Sequence, residues 1–126
     1  MSSDQTRAYA SKAQEYVEAA ASELESKRYI AATSLAIHAA INAADAVCGV
    51  RLGQRAAGED HQQVLTLLQT AGPDGGAIEK DLRRLLPLKT KTEYEPDGVA
   101  QGVAKKAVER AQRCVAVSRA VVASSN

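Results

Sequence analysis

The chain has two histidines, and both sit where an imidazole could act. His61 follows Asp60 at the first turn of a short stretch with helical apolar spacing. The partial positive charge of a helix start disfavours a protonated imidazole, and an uncharged imidazole is what a general base requires. Arg55 precedes His61 with five residues between, and Arg51 lies one turn further back. A guanidinium beside such an imidazole can hold a phosphate while the imidazole takes a proton from a neighbouring hydroxyl. In RNA the 2′-hydroxyl would then attack the adjacent phosphorus without a metal. By spacing alone the blander account, an exposed loop with a capping histidine, is the stronger one, because Arg and His fall at this distance often in an Arg-rich chain.

His38 shares one face of an Ala-rich helical stretch with Ser34, Asn42 and Asp45. Such a stripe can line a pocket or an interface, with Asn42 or Asp45 orienting the imidazole or a ligand. It is equally the pattern left by hydrogen bonds between neighbouring helices, and that account is favoured. The remaining chemistry is sparse. The acidic residues read as surface charges with no paired arrangement. Neither Cys48 nor Cys114 has a base nearby in sequence, and both read as small buried residues of a reducing compartment rather than as a disulfide. No Cys-x-x-Cys occurs, so no metal is expected. The Gly72–Gly76 run is too short and too acidic to cradle a phosphate, so no cofactor is expected either.

Five helical stretches must position these residues. The first, from about Asp4 to Ser26, buries Tyr9, Ala13, Tyr16, Ala20 and Leu24, with Asp4 and Ser3 at a capped start. The second, from about Arg28 to Cys48, turns Ile30, Ile37, Ile41, Ala44 and Cys48 to one face and is the central helix. Gly49, Gly53 and Gly58 mark a loop. Asp60 with Gln63 reads as a capping box for His61 to Thr70, with Val64, Leu67 and Leu68 inward. Gly72-Pro73-Asp74-Gly75-Gly76 is a turn signal. Ala77 to Leu86 buries Ile78, Leu82 and Leu85, and Pro87 disturbs or ends it. Lys89 to Asp97 is polar and closes on a Pro96-Asp97-Gly98 turn. The last stretch, Val99 to about Val122, keeps Ala104, Ala107, Val108, Ala111, Val115, Ser118 and Val122 in one stripe. No strand pattern is present. The expected fold is all-α, an antiparallel bundle of four to five helices forming one domain over residues 1–126.

Composition narrows the setting. The chain is 45% hydrophobic and 25% charged, which argues against wholesale disorder. Its core residues are small: Phe and Trp are absent, and Ala dominates. Helices with such side chains approach closely but each buries little area, so a second copy is expected to complete the surface. The uninterrupted apolar runs are short of a membrane span and no signal peptide is evident, so the expected compartment is the cytoplasm, with no membrane partner. Charge is uneven. Residues 1–79 hold 6 Lys/Arg and 10 Asp/Glu, a net of −4, and residues 80–126 hold 10 and 5, a net of +5. The basic part could meet phosphates through Lys89, Lys91, Lys105, Lys106, Arg110 and Arg113, although solvated helix faces account for it more simply.

The segment Arg28-Tyr29-Ile30-Ala31-Ala32, continuing through Ala36-Ile37-His38-Ala39-Ala40 to Ala44-Asp45-Ala46-Val47, resembles the central helix of HEPN domains (higher eukaryotes and prokaryotes nucleotide-binding). Leu85-Leu86-Pro87 through Tyr94-Glu95-Pro96, followed by a long Ala/Val helix, resembles the same family, and the likeness spans about Arg7 to Val122. It implies a dimeric bundle of four or five helices. Many members of that family are metal-independent ribonucleases, often toxins paired with a nucleotidyltransferase-like antitoxin or parts of defence systems, and others have lost the active site and act as binding or regulatory modules. The family's nucleases contribute an Arg and a His, separated by about four to six residues, twice at the dimer interface. In that pattern the pair lies late in the chain, where this sequence has Lys89-Thr90-Lys91-Thr92-Glu93-Tyr94 and no His. Arg55 and His61 meet the spacing, but in the loop after the second helix. The reading is therefore a homodimeric HEPN-like domain that binds or cleaves RNA or a nucleotide. If it cleaves, Arg55 is its phosphate clamp, His61 its base or acid and Arg51 an assistant; if it only binds, Lys89, Lys91, Lys105, Lys106, Arg110 and Arg113 are the better candidates. The alternative is a noncatalytic interaction module that docks through its Ala-rich helices.

Overall fold

The computed structural model describes residues 1–56 and 60–125 and builds six helices: α1 (Ser3–Glu25), α2 (Tyr29–Leu52), α3 (His61–Gln69), α4 (Gly72–Leu85), α5 (Pro87–Tyr94) and α6 (Gln101–Ser124). No strand occurs among the described residues. The all-α bundle is as expected, and the helix number exceeds four to five because of a short helix after Pro87.

α1 starts on a capping box. Ser2 accepts from the N–H of Gln5, and the Gln5 side chain accepts from the N–H of Ser2, so the cap lies before the Ser3 and Asp4 expected for it. The helix ends at Glu25, and Lys27, with a φ of 62°, turns the chain back into α2. α2 is the centre of the fold. It packs most extensively on α1 and α6 and also meets α3, α4 and α5. Its Ala residues are buried on nearly every side, which lets backbones approach closely. An all-round apolar helix gives periodicity no single face to lock onto, and Ile30, expected inward, is 45% exposed in the first turn. α2 is also long and apolar enough, by length and composition, to cross a membrane. That departs from a reading based on uninterrupted runs. Two thirds of the apolar window lies inside the bundle, as expected of a core helix.

α2 runs one turn beyond the expected end. Gly49 belongs to the helix, and a Cβ there would come within 2.6 Å of the Thr6 side chain, so the glycine permits close packing of α1 rather than a loop. Gly53, at φ 70°, is the left-handed C-cap. Gly58 lies outside the described residues. The Gly72–Gly76 run is a second correction. It forms the first turn of α4, with Pro73 where no helical N–H is needed. A Cβ on Gly75 would meet the Leu68 carbonyl oxygen at 2.3 Å, so this glycine lets α4 fold tightly against α3. Pro87 then opens α5, a helix formed by the Lys-rich stretch expected to be irregular. None of its residues is buried, although Leu88 touches the core.

Ala10, Ala46 and Val122 form a small cluster. They come from the start of α1, the end of α2 and the end of α6. α6 therefore runs antiparallel to α1 and alongside α2 in the same direction, after the α3–α5 excursion. The α6 stripe from Ala104 to Val122 is buried as expected, and so are Ile78, Leu82 and Leu85. Cys48 and Cys114 are free and buried.

Candidate functional site

The Arg55 to His61 region is built on the end of α2. Asp45, one of the most enclosed polar residues at 1% exposure, lies two turns before the C-cap. A buried carboxylate needs compensating charge or hydrogen bonds. Arg55 supplies part of this, its Nε donating to Asp45 Oδ2 at 3.3 Å from just past the left-handed Gly53. The guanidinium also lies over the Tyr9 ring, with Cζ 5.1 Å from the ring centroid. Held from two sides by α2 and α1, the Arg55 side chain remains 56% exposed. His61 is the first residue of α3 and is half-buried. Asp60 caps that helix by accepting from the N–H of Gln62. Arg55 and His61 thus flank one loop whose residues 57–59 lie outside the described residues. Arg51 belongs to the last turn of α2, not to the loop, and its guanidinium pairs with Asp74 of α4 at 2.7 Å.

The His38 stripe divides into separate contacts. The His38 ring stacks on Tyr16 with centroids 5.5 Å apart. Asn42 Nδ2 donates back to the His38 carbonyl oxygen at 2.8 Å, an internal helix bond. Asp45 faces Arg55. The three residues thus contact Tyr16, the backbone of their own helix and Arg55, respectively.

The basic residues assigned to phosphate binding also separate. Lys89 and Lys91 are half-buried on α5, and Lys105 and Lys106 are exposed on α6. Arg110 and Arg113 are instead engaged by Asp81 of α4. Arg113 donates Nε at 3.0 Å to one carboxylate oxygen and a terminal nitrogen at 2.7 Å to the other, and Arg110 adds a contact at 3.4 Å. The hydrogen bond to Asp81 raises the Arg113 guanidinium above its ordinary value. Asp81, Asp45 and Glu79 are all buried, which corrects the reading of the acidic residues as surface charges.

Sequence reasoning missed two groups that matter here. Tyr9 carried only a packing signal, because its position on α1 says nothing about a residue 46 positions later. Asp81 carried no signal, since Lys80-Asp81 reads as an ordinary solvated pair. Both thiols are shifted in the same direction. Burial pushes Cys48 up to about 12 and Asp45 adds to it; burial pushes Cys114 up to about 12, with Asp81 adding and Arg113 opposing. Among the described residues no group of three His, Cys, Asp or Glu side chains is arranged to hold a metal ion.

No curated protein matches the chain. The family model for the HEPN domain matches residues 6–121, from the first turn of α1 nearly to the end of α6. With a match over almost its whole length, this chain belongs to the HEPN domain family.

Proposed function

We propose that this HEPN domain acts on RNA, cleaving or holding a phosphodiester at the loop between α2 and α3. The observation that carries the reading is the state of Arg55. Its guanidinium is fixed by a buried carboxylate and an aromatic ring, yet more than half of it faces solvent. An arginine held this way is organised to meet an anion without losing much side-chain freedom on binding. His61, across the loop at the start of α3, is the proton carrier. In the reaction the ribose 2′-hydroxyl gives its proton to the imidazole and attacks the adjacent phosphorus. The 5′-oxygen leaves by taking that proton from the imidazolium, which returns to its neutral form, and the ends formed are a 2′,3′-cyclic phosphate and a 5′-hydroxyl. Arg55 balances the charge that gathers on the phosphoryl oxygens. Arg51, one turn back and turned toward Asp74, assists through its field only.

The same reading assigns the protein to a toxin–antitoxin or defence pair in the cytoplasm, with a nucleotidyltransferase-like partner, and co-purification from the native host tests that pairing. The noncatalytic alternative has less support, because α2, the most Ala-rich helix, is enclosed by the others. The test is cleavage of a mixed-sequence RNA in EDTA. Wild type should leave cyclic phosphate ends, and His61→Ala should be about 100-fold slower or worse with its helical circular dichroism intact. Wild-type cleavage rates in both Arg55→Ala and His61→Ala would overturn the assignment.

A further inference from the structure

α4 and α6 run antiparallel. The Ile78 carbonyl oxygen accepts from the Cys114 thiol at 4.0 Å, and Asp81, further along α4, accepts from Arg110 and Arg113, which lie earlier on α6. Between their outward faces lies a groove of about 640 Å³, lined by Ala77 and Lys80 of α4 and by Arg113, Ala116 and Val117 of α6. A hollow of about 190 Å³ shares Arg110 and Arg113 and carries it on to Lys106 and Glu109. Lys106, Arg110, Arg113 and Val117 follow one another at intervals of four, three and four, so they form one stripe along α6. The groove is therefore apolar at the end formed by Ala77, Ala116 and Val117, and basic over the rest. Its four cations stand against two carboxylates, Asp81 and Glu109. Asp81 is buried and engaged by its own arginines, whereas Lys80 and Lys106 are exposed and 57% of the Arg113 side chain faces solvent.

The length and the order of this surface select its occupant. Lys106 and Val117 are eleven residues apart, which is about 16 Å or three helical turns. An amphipathic helix of that length can rest Leu or Ile on the two alanines and Val117. It can carry Asp or Glu to Lys80, Arg113 and Lys106. The small residues at the apolar end let such a helix approach closely. A nucleic-acid strand fits worse. The groove offers no aromatic side chain to stack a base, and its apolar end gives phosphates no partner. An unbroken row of phosphates also cannot avoid Glu109, whereas a helix sets its carboxylates only where cations face them.

We propose that the α4/α6 groove receives an acidic amphipathic helix of a partner protein. α1, which carries Tyr9, makes no contact with α4 among the described residues. A helix seated in the groove thus leaves Arg55 open on its Tyr9 side, and the docking does not rest on the ribonuclease reading. The probe is a fluorescent synthetic peptide of about 18 residues, with Leu at helical spacing over its first half and Glu over its second. Fluorescence anisotropy should show it binding the full chain with a Kd below about 100 μM, and a scrambled peptide of the same composition should bind about tenfold more weakly or worse. Lys80→Glu with Lys106→Glu should weaken the ordered peptide about tenfold or more. Both lysines are exposed and stand outside the Asp81 clamp, and circular dichroism checks that the variant is folded. Where that variant loses helicity, Ala116→Glu, exposed at the apolar end, should weaken the peptide to the same degree. No wild-type binding at about 100 μM, equal affinity for the scrambled peptide, or wild-type affinity in the folded variants would each overturn the docking site. So would a weaker salt dependence of RNA affinity in the lysine variant with peptide binding unchanged, a result that assigns the groove to nucleic acid.

Discussion

Two buried aspartates each engage arginine, and they do so differently. Asp81 receives Arg113 through both carboxylate oxygens, with Arg110 beside it, and all three residues sit on regular helices, α4 and α6. Asp45 receives Arg55 through Nε at 3.3 Å, from a residue that has already left α2. The first arrangement ties two helices together, and its guanidinium groups are turned to the carboxylate. The second steadies a side chain at the edge of a loop through its Nε; Arg55 and Arg113 face water to the same extent, 56% and 57%. The same residue types thus make a helix-to-helix clamp in one place and, in the function proposed above, a phosphate-facing cation in the other. The difference comes from whether the arginine is on a helix or past its end.

The comparison can be broken by activity first. Arg55→Ala should reduce RNA cleavage about 100-fold, whereas Arg110→Ala with Arg113→Ala should leave cleavage per folded molecule near wild type. Equal losses in both would mean that the clamp is also part of the site. Stability should give the opposite order. Removing both Arg110 and Arg113 leaves Asp81 without two of its partners and should lower the unfolding free energy by about 2 kcal/mol, a value kept modest by the exposure of Arg113. Arg55→Ala should cost about 1 kcal/mol, because a single arginine is removed and its contact, at 3.3 Å, is longer. Urea midpoints at constant slope measure both. The Tyr9 contact is smaller still. Tyr9→Leu should cost about 0.5–1 kcal/mol and weaken RNA binding, while Tyr9→Phe, which keeps the ring, should change little.

Each aspartate also has a thiol that reports on it. Cys48 is raised from 9.0 to about 12 by burial and by Asp45, and Cys114 from 9.0 to about 12 by burial and by Asp81. Because the neutral thiol is the favoured form in the fold, this contribution to stability is complete below pH 9.0 and is lost as pH rises toward about 12. Alkylation at pH 9 should therefore be slow for both cysteines in the native protein and fast in urea. Arg113→Ala should slow Cys114 further, since Arg113 favours its thiolate. Rapid native labelling of either cysteine would contradict the burial that causes the shift.

Much of this architecture was legible in the sequence. Helical spacing found the α6 stripe and the inward side of α4, because both helices have one apolar face and one polar one. It failed where that contrast disappears. Ile30 could not be placed on an Ala-rich helix buried nearly all round, and the Gly72–Gly76 run looked like a turn because Gly75 is needed for contact with α3 rather than for bending. The Lys-rich segment after Pro87 is helical with no buried residue, so no apolar period announced it. Arg55 and His61 were found by type and spacing. Asp45 was found for another reason, as part of the His38 stripe. Tyr9 and Asp81 were not found, since the contacts that define them join distant parts of the chain and leave no local pattern.

The dependence of RNA affinity on salt sets the two arginine clusters directly against each other. An arginine that holds phosphate displaces condensed counterions, so its removal should lower the slope of log affinity against log salt by about 0.7 per contact on single strands. Arg55→Ala should show that reduction, and Arg110→Ala with Arg113→Ala should retain the wild-type slope. A wild-type slope in Arg55→Ala, with the reduction appearing in the α6 double variant, would contradict the account and move the phosphate site to the α4/α6 face.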